Sequence, residues 1–394
     1  MGNLKGKVAI VGIGEVPTGR FPDTPAIYHA VESARLAIKD AGIDKDEIDF
    51  VMPTAAMFSF SYIGELTTAR VAEELGLKNC KKNCLIFSGG SSGSTGLQMA
   101  GSMIASGTAK CVLFVHSEKL ATALTGQEGI DLFSVSGISP EWEVPFGQHY
   151  STVAALSTTR YKYETGCTDE YFAAVCVSNR KWAELNPNAF FRKPLTIEEV
   201  MASKMLSTPL RAKMSNMLFD GGSAFIVTSA ERAKDLPGRP AYILGEGGIV
   251  THHVFSQEPD ISRFGWASAA KEAFEGAGIT PKDIDVAEIY DSYPIYQLIA
   301  FEELGLCERG QGGEMFLKGE TWPGGRMPCS TNGGMLSQGH TGAGGGVALM
   351  VEAARQLMGK ADERQVKGAR FAVETGTGGT YMDAQVTILG TEIP

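Results

Sequence analysis

With 394 residues, 43% of them apolar, the chain has material for two or three ordinary domains or for one large fold built by duplication. Its 45 acidic and 35 basic residues give a net charge of -10, and no basic run exceeds Lys81-Lys82. That excludes nucleic acid or an anionic membrane as the main partner, while a local pocket for a phosphate-bearing ligand stays open. Seven cysteines, odd in number and without CxxC or Cys/His spacing, predict buried thiols in a reducing cytoplasm and no metal site.

The opening MGNLKGKVAIVGIGEVP starts basic, but its apolar run is short and Glu15 interrupts it, so no secretory signal is expected. Position 6 is Gly, which rules against a myristoylation signal, and no stretch approaches a membrane span. VGIGEVPTG imitates a dinucleotide fingerprint, yet Pro17 stands where the third Gly belongs, so a first strand and turn is predicted. Residues 31–51, VESARLAIKDAGIDKDEIDFV, read as a helix, a turn and an apolar strand. CLIFSGGSSGSTGLQM at 84–99 then places glycines and serines between an apolar run and a helical pattern. Such a turn lets a ligand approach a helix N-terminus, because Gly removes the side-chain obstacle and the free N–H groups carry partial positive charge. KCVLFVHS at 110–117 closes this unit with a strand.

Residues 118–220 do not repeat elsewhere. Segments such as DEYFAAVCVSNRKWAEL predict a long helical insertion over a cleft, and PFGQHYS supplies His149 within it. DGGSAFIVTS at 220–229 is expected to be a tight turn into a strand. The second half echoes the first: ASAAKEAFEGAGITPKDIDVA at 267–287 repeats 31–51, with Asp285 standing 236 residues after Asp49. GGMLSQGHTGAGGGVALMVEAARQLM at 333–358 answers the Gly/Ser turn and helix, and ARFAVET at 369–375 answers the closing strand. Alternating strands and helices at this spacing predict parallel βαβ units in two similar halves, 1–237 and 238–394, with both Gly-rich helix starts facing one cleft.

Two motifs carry chemistry. In SQGHTGAGGG at 337–346, His340 stands among glycines at a helix start, where a positive helix end favours a neutral imidazole able to act as base or hydrogen-bond donor; a His in a bland surface loop is the alternative. EIYDSYP at 288–294 ends a strand, the place where α/β folds collect active sites, and Tyr290 either transfers a proton there or simply packs.

Together with the duplicated halves and the insertion, the Gly/Ser turn at 88–96, NGGMLSQGHTGAGG at 332–345 and TGTGG at 375–379 resemble the thiolase superfamily, and within it the sterol-carrier-type (lipid-transfer) thiolases. The resemblance implies duplicated βαβαβαββ halves in a five-layered α/β arrangement with an inserted loop domain. It implies a cytoplasmic homodimer acting on an acyl-CoA, with coenzyme A as substrate and no covalently bound cofactor. It also implies a small acyl-CoA-associated zinc-ribbon/OB-fold protein as partner. Aligning Ser92-Gly93-Ser94 puts Gly90 where the family has its nucleophilic Cys, Thr375 where it has the second, and Tyr290 where it has Asn or His; His340 and Asn332 match. Cys84 lies too far upstream along an extended strand to substitute.

Three readings follow. The first is Claisen chemistry on a 3-oxoacyl-CoA, an aromatic or branched one such as benzoylsuccinyl-CoA, with Ser91 or CoA itself as nucleophile and His340 with Asn332 polarising the thioester. The second is retro-aldol cleavage of a 3-hydroxyacyl-CoA with Tyr290 or His149 as base, as in the steroid side-chain aldolases that this chain also resembles. The third is a non-catalytic acyl-CoA-binding scaffold. Gly90 and Gly378 are expected to cradle the thioester oxygen, and Arg180, Lys181 and Arg211 to hold CoA phosphates.

Overall fold

The computed structural model describes residues 4–54, 67–124, 128–129 and 137–393. The strands are β1 Val8–Glu15, β2 Phe50–Pro53, β3 Lys82–Asn83, β4 Cys111–Lys119, the small hairpin β5 Met205–Ser207 and β6 Leu210–Arg211, β7 Asp220–Ser229, β8 Ala241–Val250, β9 Val286–Glu288, β10 Phe371–Gly376 and β11 Asp383–Gly390. The helices that matter for the site are α1 Ala26–Ala41, α2 Ser92–Ala105, α3 Tyr150–Thr165, α4 Asp169–Glu184, α5 Trp266–Ala277 and α6 Gly344–Met358.

Nine strands form one sheet in the order β3-β2-β4-β7-β1-β8-β11-β10-β9, a near-mirror arrangement about the β1–β8 seam. The seam is short: Ala9 and Ile10 pair with Tyr242 and Ala241. In the first half β3, β2 and β4 run parallel, in the second β9 and β10 do, and the last strand of each runs antiparallel beside them, β7 along β4 and β11 along β10. The sheet is therefore mixed, not purely parallel, because β10 returns into β11 through the six-residue turn at 377–382, and a short turn can only reverse the chain. In the first half the same connection, from β4 to β7, holds residues 120–219. The insertion thus stands in place of a tight turn. Asp220-Gly221-Gly222 is not that turn but strand, in register with Lys119, Glu118 and Ser117.

Three buried clusters stack the layers. The spacing of Ala30, Ala34, Ala37 and Ala41 lays the small face of α1 on Val11, Leu113 and Ile226, one outer side of the sheet. Leu97, Ala100 and Ile104 of α2 and Val347, Met350, Val351 and Ala354 of α6 fill the centre between Phe50, Phe114 and Phe225 on one side and Ile243, Ala372 and Leu389 on the other. Ala269, Ala270, Ala273 and Ala277 of α5 cover the far face, continuous with the insertion through Phe172 and Val175 of α4. Helix, sheet, paired helices, sheet and helix give the five layers of the thiolase-type α/β fold.

The duplication extends to single hydrogen bonds. Asp49 accepts from the N–H groups of Lys110 (3.0 Å) and Cys111 (3.0 Å) at the start of β4, and Asp285 accepts from Arg370 (2.7 Å) and Phe371 (3.0 Å) at the start of β10. Each carboxylate ties the strand that follows it to that strand's parallel neighbour, β2 to β4 and β9 to β10. Asp285→Ala should cost about 1–3 kcal/mol by stranding two N–H donors, while Asp285→Asn keeps an acceptor and loses less. Denaturant midpoints of the three proteins measure it.

Candidate active site

A cavity of about 1000 Å³ opens where the starts of α2 and α6, the 377–382 turn and the insertion converge. The two helix starts meet backbone to backbone, since a Cβ on Gly346 would stand 2.0 Å from the carbonyl oxygen of Gly90. Glycine is required there by approach alone. Gly90 itself lines the cavity, and a Cβ on it would fall 2.4 Å from the Tyr290 ring and hydroxyl and 2.5 Å from the Thr377 carbonyl. The space from which a nucleophilic side chain at position 90 would project is occupied by the Tyr290 ring.

Tyr290 leaves the end of β9, its N–H donating to Thr375 Oγ1 (2.9 Å), so Thr375 anchors the strand end and does not line the cavity. The Tyr290 hydroxyl lies 3.2 Å from His340 Nε2. On the other side of the imidazole, the Gly342 N–H donates to His340 Nδ1 (3.0 Å), which assigns the remaining ring proton to Nε2 and makes His340 the donor to Tyr290 Oη. Burial pushes the His340 pKa down to about 4 and raises that of Tyr290, with Tyr150, Asp291 and Asp383 adding to the latter shift. Both groups are neutral at pH 7.

Behind this pair, His116 within β4 is fully buried. Its Nδ1 accepts from Thr54 Oγ1 (2.6 Å) and its Nε2 donates to the Thr341 carbonyl (2.9 Å), bracing the turn that carries His340; burial lowers its pKa to about 4 as well. Asp383, at the start of β11, joins the cavity wall, accepts from the Gly378 N–H (2.5 Å), and has a pKa raised by burial against the lowering effect of Ser91 and that N–H.

The other expected residues divide. His149 lines the cavity as a neutral imidazole, its pKa lowered by burial and its Nδ1 2.9 Å from Ser151 Oγ. Gly90 and Gly378 line it too, but the Gly378 N–H is committed to Asp383 and is no free oxyanion donor. Ser91 is fully buried, donates to the Ser88 carbonyl (2.6 Å), lies beside the Asp383 carboxylate, and does not line the cavity. Asn332 folds back to accept from the Gly334 N–H (2.7 Å), and its carbonyl accepts from Asn186 Nδ2 (2.8 Å); it shapes the turn outside the cavity wall. Arg180 serves Ser337 Oγ and the Lys193 carbonyl, Lys181 lies over the Trp322 ring at 4.4 Å, and Arg211 reaches the Ser203 carbonyl at 3.3 Å. None of these three lines the cavity; among the described residues its only Arg or Lys is Arg20. The described lining contains no cysteine, and Cys84 stands apart from it.

Sequence reading missed Asp383, His116 and Arg20. Asp383 could have been found as the acid that follows the TGTGG turn, the mirror position of Asp220 at the start of β7; His116 is a polar residue inside the apolar strand β4. Among the described residues no cluster of His, Cys, Asp or Glu could hold a metal ion, and no helix is long and apolar enough to cross a membrane.

This architecture has known counterparts. The family described as "Thiolase C-terminal domain-like" matches residues 247–391. The chain is 31% identical to an acetyl-CoA acetyltransferase of Methanothermobacter thermautotrophicus over 97% of its own length and 98% of the relative's. It is 30% identical to the benzoylsuccinyl-CoA thiolase subunit BbsB of Thauera aromatica over 95% and 96% of the two chains. A solved Ltp2-ChsH2(DUF35) aldolase superposes with a TM-score of 0.86 at 28% identity, covering 98% of both chains. The chain belongs to the thiolase superfamily, in its sterol-carrier-type branch.

Two measurements probe the site. Gly90→Cys should cost about 1–3 kcal/mol through overpacking against Tyr290. Combined with Tyr290→Ala it should cost less than the sum of the single changes, because the ring is gone and only the Thr377 carbonyl remains in the way; strict additivity would show that the two residues do not share that space. The second measurement follows from the lowered His340 pKa. The unfolded chain binds a proton near pH 6.5 that the folded chain refuses until about pH 4, so the stability due to neutral His340 is complete above pH 6.5 and is lost as the pH falls toward 4. Between pH 7 and 4.5 the wild type should lose about 2–3 kcal/mol more than His340→Gln, read from denaturant midpoints at each pH.

Proposed function

We propose that this chain, an enzyme of carbon–carbon bond chemistry on CoA thioesters, works as a lyase that cleaves a 3-hydroxyacyl-CoA by a retro-aldol reaction without a covalent intermediate. One observation carries the reading: the Tyr290 ring fills the space beside Gly90 from which a nucleophilic side chain would reach the thioester. Covalent acyl transfer needs a thiolate or an activated hydroxyl in the cavity, and the geometry of Ser91 does not supply one. The aldolase named in the Ltp2-ChsH2(DUF35) structure supports the same chemistry in a relative.

In the cleavage, the bonding electrons of C2–C3 pass to C2 with the character of a thioester enolate, and the neutral Tyr290 gives its phenolic proton to that carbon. Its oxygen, gaining negative charge, takes the proton of the C3 hydroxyl in the same step as the carbonyl forms at C3. The protein ends with the protons it began with. The His340 Nε2–H stays on Oη throughout and stabilises the negative charge that develops there, while the Gly342 N–H holds the ring in the tautomer this requires. His149 and Asp383 shape the polar wall around the reacting carbons.

The wider arrangement is also a proposal. We take the halves to divide at 237/238, supported by the paired strand-start contacts of Asp49 and Asp285. A homodimer is supported by the edge position of β3 and the exposed Leu85 and Phe87 beyond it. A small DUF35-type subunit carrying the zinc-ribbon/OB-fold is supported by the Ltp2-ChsH2(DUF35) assembly of the relative, and a cytoplasmic setting by the scattered free cysteines.

Intact-protein mass after incubation with acetyl-, succinyl- and benzoyl-CoA, beside assay of 3-hydroxyacyl-CoAs, tests the reading. No mass gain and release of an aldehyde or ketone are expected, with Tyr290→Phe slowing release about 10²- to 10⁴-fold and His340→Ala slowing it similarly. A stable acyl adduct mapped to one residue would replace the retro-aldol route by Claisen chemistry.

A further inference from the structure

We infer that Arg20 forms a subsite for an anionic group of the substrate, a carboxylate or a phosphate. This rests on the reading of the cavity as an acyl-CoA site. Arg20 is the one cationic side chain among the described lining residues, on a wall whose other charged members are Glu118 and Asp383, in a chain of net charge -10. Arg20 is exposed, and among the described residues it has no carboxylate partner; its one hydrogen bond is a long one, Nη1 to the Ala121 carbonyl at 3.5 Å. A guanidinium presents five N–H donors in a planar fork, so most of them are left for a ligand.

The arginine stands on a rigid platform. Gly19 and Asp220 exchange backbone hydrogen bonds of 3.0 and 2.9 Å, and the Phe21 N–H donates to Asp220 Oδ2 (2.9 Å), so the chain is held on both sides of Arg20. Asp220 is fully buried, yet its carboxylate does not neutralise the guanidinium. It is filled by the N–H groups of Phe21, Ala121 (2.9 Å) and Thr122 (3.2 Å) and by the Thr122 hydroxyl (2.6 Å). The same carboxylate therefore fixes the backbone of Arg20 and the carbonyl-bearing segment beside it. With the backbone on both sides already held, only the Arg20 side chain has to order around an anion. Arg180 and Lys181 are by contrast engaged with internal partners.

The experiment uses the full chain, binding by calorimetry, and three probes: succinyl-CoA, butyryl-CoA and butyryl-pantetheine. Arg20→Gln should weaken succinyl-CoA about 10- to 100-fold, with Arg20→Lys intermediate because it keeps the charge and loses the fork. If butyryl-CoA is unaffected, the anion is a carboxylate on the acyl chain, and the enzyme takes dicarboxylic acyl thioesters. If both CoA thioesters weaken alike while butyryl-pantetheine does not, the anion is a CoA phosphate. Equal binding of all three by wild type and Arg20→Gln overturns the subsite. A wild type that binds neither CoA thioester overturns the acyl-CoA reading of the cavity, and the subsite with it.

Discussion

Two helix starts cannot share one cleft unless one of them gives up its side chains, and in this protein both do. Gly346 approaches the Gly90 carbonyl so closely that no Cβ fits between them, and Gly93 meets Val347 Cα at 3.1 Å from the place its own Cβ would take. This contact fixes the distance between α2 and α6, hence between the turn at 88–91 and the turn at 337–343. The rest of the site is built on that spacing. Tyr290 enters from β9 into the volume released at Gly90, and its hydroxyl falls within hydrogen-bond distance of the imidazole that α6 carries. A side chain at position 90 would expel the ring and break the pair. The fold thus couples the absence of a nucleophile to the presence of a phenol, and the two features are one structural decision.

Electrostatics then sets the character of the pair. Neither Tyr290 nor His340 is charged at neutral pH, because both are buried and neither has an ion partner of its own. A neutral imidazole beside a neutral phenol is a poor device for making a nucleophile and a good one for moving a proton and holding partial charge at one oxygen. The bracing carried by His116, which ties Thr54 to the Thr341 carbonyl, keeps the His340 turn from relaxing toward solvent and acquiring a proton.

Much of the fold was legible in the sequence because duplication repeats its own punctuation. Asp49 and Asp285 could be paired by their flanking Ala-Gly-Ile and Ile-Asp patterns, and both turn out to tie equivalent strands. The direction of β7 and β11 was not legible, since periodicity reports which residues are buried and not which way a strand runs. The site was half legible. His340 and Tyr290 stand in unusual local sequence, glycine-rich or at a strand end, and their neighbours announce them. Asn332 and Ser91 looked equally suited by residue type, yet local turns claim both, as short polar side chains beside glycines commonly bond their own backbone. Arg20 and Asp383 come to the cavity from opposite ends of the chain, a juxtaposition that only the closed sheet creates.

The placement of the insertion has a consequence for how such a molecule diversifies. Residues 120–219 leave and re-enter the fold on adjacent strands, Lys119 in register with Asp220, one strand spacing apart. The insertion supplies His149, Tyr150, Leu206 and Met217 to the cavity wall, and its last residues hold the His340 turn: the His340 N–H donates to the Met217 carbonyl (3.1 Å) and the Phe219 N–H to the His340 carbonyl (2.9 Å). It is in effect an exchangeable cartridge plugged into a fixed socket. New acyl groups can be accommodated by rewriting most of this quarter of the chain, provided that the 217–219 stretch that holds His340 is kept.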